Sequence, residues 1–560
     1  PLSANGKLDR RALPAPGGEA FGVRGYEAPR GELEQRVASM WADLLRVERV
    51  GRDDNFFALG GHSLLAVTLV ERMRRAGLHA DVRTVFSNPS VAGLAQALAP
   101  EPAGAQVPPN LIPADAQAIN PEMLTLVKLN QPEIDRLVAT VPGGAANVQD
   151  IYPLAPLQEG ILFHHLVGER GDAYLVSILL TVGSREQLDG FVATLQSVVD
   201  RHDILRTSIA WEGLDEPVQV VHRRATIPLE VLDLDPQVGP IADQLKGRYE
   251  ARHYRMDLDQ APLLRTVAAC DAPGGRWLLL VLAHHLVIDH ATLRLLVEEA
   301  EAIEAGQGDR LSAPVPFRNF VARARGGKRR EEHEAFFREM LGEVEEPTAP
   351  FELLEVEGNG SGVDEFRRLL PAELSAGVRA GARAAGVSTA SVMHLAWALV
   401  LSRLTGQSRV VFGTVLFGRM GGGAEVERVL GMFINTLPVR IDVAEPTVTE
   451  SLQATQGMLA RIIEHEHASL ALAQRCSGVP AQTPLFTALL NYRHTALEEG
   501  AQQPEPEVAS GPEVVWSEER TNYPVVLSVD DLGRELLLTA QVSAPASAQQ
   551  VCALMETALA

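Results

Sequence analysis

The chain has 560 residues, 46% of them hydrophobic, and a formal net charge of −22. That length exceeds one ordinary core and predicts about three to four compact units of ~150 residues each, while the hydrophobic share excludes global disorder. So acidic a surface repels nucleic-acid phosphate and argues against a DNA or RNA partner. Cys270, Cys476 and Cys552 lie far apart. They form neither a disulfide framework nor a zinc pattern, which fits the reducing cytoplasm. The longest apolar runs, such as LLLVLA at 278–283, fall well short of the ~20 residues of a bilayer span, so no membrane partner is expected. No signal peptide is visible, and Pro1 rather than Met opens the chain, which reads as a piece of a longer polypeptide.

Residues 1–27 are rich in Gly, Pro, Ala and Arg without periodicity and read as a tail and linker. ELEQRVASMWADLL then places Leu33, Val37, Met40, Trp41 and Leu44 on one helical face. A second helix starts at Ser63 and stops near Gly77, and SNPSVAGLAQAL starts another, with Ser87 or Ser90 as its cap. Residues 28–99 therefore read as a small helical bundle. The Pro/Ala-rich stretch within 100–118 is a linker and the clearest domain boundary. Beyond it, 175–183, 276–283, 409–416 and 535–542 read as strands, and 186–200, 291–305 and 388–404 as helices. This mixture predicts two α/β lobes, 119–310 and 311–560. RGGKRREEHE at 325–334 reads as a solvated helix start.

DNFFALGGHSLLA at 54–66 is a loop with two glycines that delivers Ser63 to the first turn of an amphipathic helix. A serine there ordinarily caps the helix. The same place suits a phosphate ester, because free backbone N–H groups and the helix dipole favour an anion. The string resembles the peptidyl carrier protein signature of nonribosomal peptide synthetases. That resemblance implies a four-helix carrier with 4′-phosphopantetheine on Ser63, attached by a phosphopantetheinyl transferase, with Asp53 and Asp54 facing partner enzymes. The opening PLSANGKLDRRALP resembles the last motif of an adenylation domain, which would make Lys7 an idle remnant of an acyl-adenylate contact.

AHHLVIDHATL at 283–293 lies between a buried strand and a helix, where active residues are commonly presented. Three readings fit the residues alone. His284, His285, Asp289 and His290 have the ligand types of a metal site; the histidines can be satisfied core groups; or one imidazole serves acyl transfer. RHDILRTSI (201–209), VLGMFINTLPVRI (429–441), PLAPLQEGILFHHL (153–166) and ERTNYPVVL (519–527), taken with HHLVIDH, resemble the condensation-domain family over about 119–560. The resemblance implies an α/β fold of two chloramphenicol-acetyltransferase-like lobes in a V. It also implies amide formation between carrier-bound thioesters, no metal, and upstream adenylation and downstream carrier domains. In that family His285 would orient or deprotonate the attacking amine, beside His284. Asp289 would be structural, paired with Arg206 or Arg419.

His290 stands where glycine usually follows the aspartate. HHLVGERGD at 164–172, from His164 and His165 to Asp172, reads by itself as an ordinary helix end. It also resembles HH(I/L)xxxxGD, the mark of the dual epimerisation/condensation subgroup, and His290 agrees with that subgroup. The expected activity is L-to-D inversion of the donor residue followed by condensation, with His285 as base and His164 and His165 as proton donors or tunnel residues. The alternative is a condensation domain that takes a donor already in the D form.

Overall fold

A computed structural model describes residues 26–61, 63–78, 80, 82–98, 107–168, 171–271, 276–326, 328–354, 363–418, 428–443, 447–480, 482–494, 512–518 and 522–560. The chain divides into two compact units, Pro1–Pro102 with Gly381–Ser388, and Ala103–Ala380 with Thr389–Ala560.

The first unit carries α1 (Gly31–Leu45), α2 (Ser63–Arg75), α3 (Val82–Ser87) and α4 (Val91–Ala97), the small all-α four-helix bundle expected. Its core is aromatic: Trp41 meets Phe56 edge-on at 5.1 Å, and Phe57 packs on Phe86 at 4.9 Å. Of the two candidate caps, Ser90 is the one used, its Oγ accepting from Gly93 N–H, whereas Ser87 ends α3. The short α3 is not legible in the sequence, since VRTVFS has too few residues for periodicity.

In the second unit the order is α5 (Gln131–Thr140), β1 (Val148–Pro153), α6 (Pro156–Val167), β2 (Leu175–Val182), α7 (Arg185–Arg201), β3 (Thr207–Ala210), β4 (Val218–His222), β5 (Leu229–Leu232), α8 (Ile241–Arg248), β6 (Leu264–Cys270), β7 (Trp277–His284) and α9 (His290–Glu304). Then follow α10 (Arg318–Gly326), α11 (Arg330–Leu341), β8 (Val363–Leu369), α12 (Ala372–Ala385), α13 (Thr389–Thr405), β9 (Arg409–Leu416) and β10 (Asn435–Asp442). The chain ends with α14 (Val448–Ile463), α15 (Leu470–Arg475), β11 (Ala488–His494), β12 (Glu513–Glu518), β13 (Val525–Asp531), β14 (Leu536–Ser543) and α16 (Ala548–Leu559).

Among the described residues three sheets form: β1-β4-β3, β12-β2-β7-β6-β5 and β10-β9-β11-β13-β14-β8. The four predicted strands and three predicted helices are all present, each within a residue or so of its expected bounds. The apolar run of β7, WLLLVLAH, sits in the middle of its sheet between β2 and β6, as a strand buried on both faces should.

Two boundaries differ from expectation. Ile112 and Ala116, in the expected linker, are buried in one cluster with Ile134, Leu137, Val148 and Val220, so the second unit begins before residue 119. The lobes are also not contiguous in sequence. β12 comes from the C-terminal part of the chain yet pairs antiparallel with β2, Leu180 opposite Val514, and completes the sheet that carries β7.

Candidate active site

The DNFFALGGHS loop follows from local sterics. Asn55 Oδ1 accepts from the Phe57 and Ala58 N–H groups at 2.9 and 3.1 Å, turning the chain and sending Phe56 and Phe57 into the core. Gly60 has φ +98, and a Cβ on Gly61 would stand 2.4 Å from the Phe56 ring, so both positions require glycine. The helix therefore begins at Ser63, with the positive end of its dipole there. Of the two acidic residues expected to face partners, Asp53 is exposed. Asp54 instead turns its carboxylate to Gly51 N–H at 2.7 Å and holds the loop. A helix start behind a glycine turn fits a phosphate ester on Ser63. Lys7 lies outside the described residues.

The second site is built on the β2–β7 pair, in which Leu175 lies opposite His284. After His284 the backbone leaves the sheet, and Leu286, Val287 and Ile288 plug the loop into the core. Gln158 on α6 clamps it from one side, its Nε2 donating to Leu286 carbonyl at 2.7 Å and to Gln219 Oε1 at 3.0 Å. Asp289 ends the loop as the cap of α9. Its Oδ1 accepts from Thr292 N–H at 2.7 Å and its Oδ2 from Phe433 N–H at 3.2 Å. Thr292 in turn exchanges two hydrogen bonds with the Gly431 backbone, at 2.7 and 2.9 Å.

The expected partnership of Asp289 with Arg206 is not formed. The Arg206 guanidinium is buried elsewhere, donating to the Val199 and His222 carbonyls and to Gln149 Oε1. Arg419 lies outside the described residues. His290 is exposed at the first position of α9.

The two histidine pairs meet. His165 Nδ1 lies 2.9 Å, and His284 Nε2 3.0 Å, from the same oxygen, Asp172 Oδ2. Asp172 Oδ1 accepts from Tyr174 N–H at 3.0 Å, and Tyr174 carbonyl accepts from His285 N–H at 2.9 Å. Gly171, the glycine of the GD pair, has φ +75, and a Cβ there would lie 2.4 Å from Arg252 carbonyl. Only glycine lets Asp172 reach this place. The turn is held further by Arg255, which donates to the Gly168 and His165 carbonyls.

The hydrogen bonds assign the ring protons. His284 Nδ1 accepts from Leu286 N–H at 3.1 Å, so its proton is on Nε2, directed at Asp172. His285 Nδ1 faces Ile288 carbonyl at 3.0 Å. It must therefore donate, which leaves Nε2 as the basic nitrogen. Burial pulls His284 below the usual imidazole range in spite of Asp172, so the ring is neutral at pH 7. Burial pushes the Asp172 carboxyl up, but the two imidazoles outweigh it and hold the acid well below the usual carboxylate range.

His164, the half-exposed member of its pair, lies 3.5 Å from Asn522 Nδ2, and Asn522 Oδ1 accepts from Tyr174 OH at 3.2 Å. Burial holds that phenol well above its usual range, which keeps it a donor. Gln158, Tyr174 and Asn522 carry no signal of their own in the sequence, although Gln158 and Asn522 sit inside the PLAPLQEG and ERTNYP strings.

Among the described residues, His165, Asp172 and His284 are the three buried groups with ligand atoms all within 4.8 Å of one another. The set first considered for a metal, His284, His285, Asp289 and His290, is not gathered. His285 bonds Ile288, Asp289 bonds backbone N–H groups, and His290 points to solvent.

Comparison with known proteins places the chain in two families. The condensation-domain family matches residues 148–546, and the phosphopantetheine attachment site family matches residues 35–98. Malpinin synthetase of Mortierella alpina is 51% identical over 100% of the chain, which spans 7% of that protein. Malpibaldin synthetase of the same organism is 49% identical over 100% of the chain, 10% of its own length. Among solved structures, the condensation domain of the monacolin K polyketide synthase MokA aligns with a TM-score of 0.57 at 21% identity, covering 74% of this chain and 96% of that one.

Proposed function

The chain belongs to the condensation-domain family of nonribosomal peptide synthetases, preceded by a phosphopantetheine carrier domain, and from that premise we propose that it inverts the donor residue to the D form and then joins it to an acceptor amine. The observation that carries this reading is the meeting of the two histidine motifs on Asp172.

In condensation, the acceptor nitrogen attacks the donor thioester carbonyl, the C–N bond forms, and the C–S bond breaks with release of the thiol. His285 Nε2 takes the proton the amine loses and passes it to the departing sulfur, so that amide and thiol form together. The thioester is already activated, so no enzyme nucleophile is needed, and holding the two reactants in line supplies several kcal/mol. The phosphopantetheine arm, on Ser63, supplies the thiol to which the donor is tethered. In inversion, His285 takes the donor Cα proton, and a second group returns one to the opposite face. His164, half-exposed, is the candidate for that group, whereas His165 is buried on Asp172.

The partners are an upstream adenylation domain, a downstream carrier and a phosphopantetheinyl transferase, in the cytoplasm. The His165–Asp172–His284 group works by hydrogen bonding without a metal.

A second reading has an observation in its favour. The burial of His165 and its bond to Asp172 give the HHLVGERGD string an architectural use, which a condensation domain taking a ready-made D donor could share. The test loads Ser63 with the L-configured upstream donor in deuterated water. Deuterium at Cα and a D residue in the product support inversion. Condensation of a D donor with no Cα exchange from the L donor leaves the second reading. Ser63→Ala must abolish attachment of the arm; labelling that survives it refutes the carrier assignment.

A further inference from the structure

We propose that Asp172 is the positioning residue of this site, joining the two histidine pairs by accepting from His165 and His284 on a single oxygen and thereby fixing the ring that precedes His285. The proposal rests on the functional reading above only for its kinetic arm.

Three observations converge on it. Both imidazoles lie within hydrogen-bond distance of Asp172 Oδ2, across 7 and 112 residues of sequence. The other oxygen takes Tyr174 N–H, whose carbonyl takes His285 N–H, so one carboxylate sets the level of β2 against the histidine loop. All three groups are buried, and Gly171 is conformed and confined so that no other residue fits before Asp172. His284 is held at both nitrogens, Nδ1 by Leu286 N–H and Nε2 by Asp172, so it has no lone pair left for a substrate proton. Its function is to be fixed, and Asp172 fixes it. The division of labour follows: His165, Asp172 and His284 form a buried support, and proton transfer falls to His285 with His164.

Asp172→Asn separates positioning from bulk. The amide keeps the volume but has one acceptor oxygen. If that oxygen stays on Tyr174 N–H, the NH2 group faces two imidazole N–H donors. If it turns to the rings, the NH2 group opposes Tyr174 N–H. In either rotamer a ring must shift its proton or move.

The experiment uses the full chain labelled with 15N-histidine, wild type and Asp172→Asn, with His165→Ala as the second variant. Wild type should show His284 protonated on Nε2 and His165 on Nδ1. In Asp172→Asn both sets of resonances should change while those of His222 and His394 stay. Condensation kcat with a preloaded donor should fall roughly a hundredfold, the range for a small misplacement of a reacting group, with acceptor KM within about twofold. If Asp172→Asn does not fold, His165→Ala, which leaves the Asp172–His284 bond, should retain the His284 Nε2–H signature and the larger part of kcat. In Asp172→Asn, unchanged His284 resonances, or an unchanged kcat with changed resonances, overturns the proposal, as does loss of the His284 Nε2–H signature in His165→Ala. So does one stoichiometric metal ion by elemental analysis, since Asp172 would then be a ligand. If wild type catalyses neither reaction, the functional reading fails, while the 15N spectra still decide the role of Asp172.

Discussion

Replacing Asp289 tests the way the histidine loop is fastened. Its two oxygens take two buried backbone N–H groups, Thr292 at the start of α9 and Phe433 in the 429–435 segment. Removing the cap costs about 1 kcal/mol. Leaving Phe433 N–H buried without its acceptor costs a further 1–3 kcal/mol or so. Asp289→Ala should therefore lower unfolding stability by about 2–4 kcal/mol, and Asp289→Asn, which keeps one acceptor, by about 1–2 kcal/mol. Urea unfolding of the two variants measures the difference. The ranking matters as much as the size. An aspartate held chiefly by a cation loses that partner to Asn as fully as to Ala, whereas a cap is half-restored by Asn. Equal losses in the two variants would refute the capping account, and so would an Ala variant as stable as wild type.

Gly171→Ala forces a Cβ against the Arg252 carbonyl and holds a non-glycine residue at φ +75; left-handed strain and overpacking together cost about 2–4 kcal/mol. The unfolding midpoint should fall and condensation with it, and a silent substitution would mean that Asp172 is not placed by this turn. Acid should also destabilise the fold. Burial pulls His222 and His394 from 6.5 to about 4, so the unfolded chain takes up protons below pH 6.5 that the folded chain refuses. Their stabilisation is complete above pH 6.5 and is lost as the pH falls towards 4, about 2 kcal/mol from each histidine by pH 5. Asp150, pushed up to about 6 by burial despite Arg318, works the other way. It takes its proton first in the folded state and returns about 1 kcal/mol at pH 5. Between pH 7 and pH 5 these three groups together remove roughly 3 kcal/mol of unfolding free energy; urea melts of His222→Gln and His394→Gln variants should show a smaller loss over that range than wild type, and an unchanged pH dependence contradicts the assignment. His285→Ala should abolish condensation in a single-turnover assay with a preloaded donor; a retained rate would remove it as the base.

What can be read from the sequence follows how far each signal reaches along the chain. β7 and β9 are visible because a buried strand is a run of apolar residues. β5, β8 and β12 are not, because each lies at a sheet edge, with burial that is partial or irregular. Their pairing depends on partners far away, as when Val514 meets Leu180. The Ser63 helix start is legible because its causes are local: Asn55, Phe56, Gly60 and Gly61 act within ten residues of one another. Asp289 also carries a local signal, since an aspartate three residues before Thr292 at a helix start is a cap pattern.

The histidine site has the opposite character. Its parts come from 158–174, 284–292, 429–433 and Asn522, and each motif taken alone supports a bland reading. His164–His165 is a helix end, Gly171–Asp172 a turn, and Asn522 a polar residue before a strand. What none of these strings can express is that one carboxylate oxygen stands between two rings, since that bond spans 112 residues. The same fact explains why HHLVGERGD has to be read as a whole. His165 needs Asp172 as its acceptor, Asp172 needs Gly171 to enter the turn, and the turn needs the His165 and Gly168 carbonyls for Arg255. The string is thus the short-range half of a contact whose other half is His284, the ring next to His285.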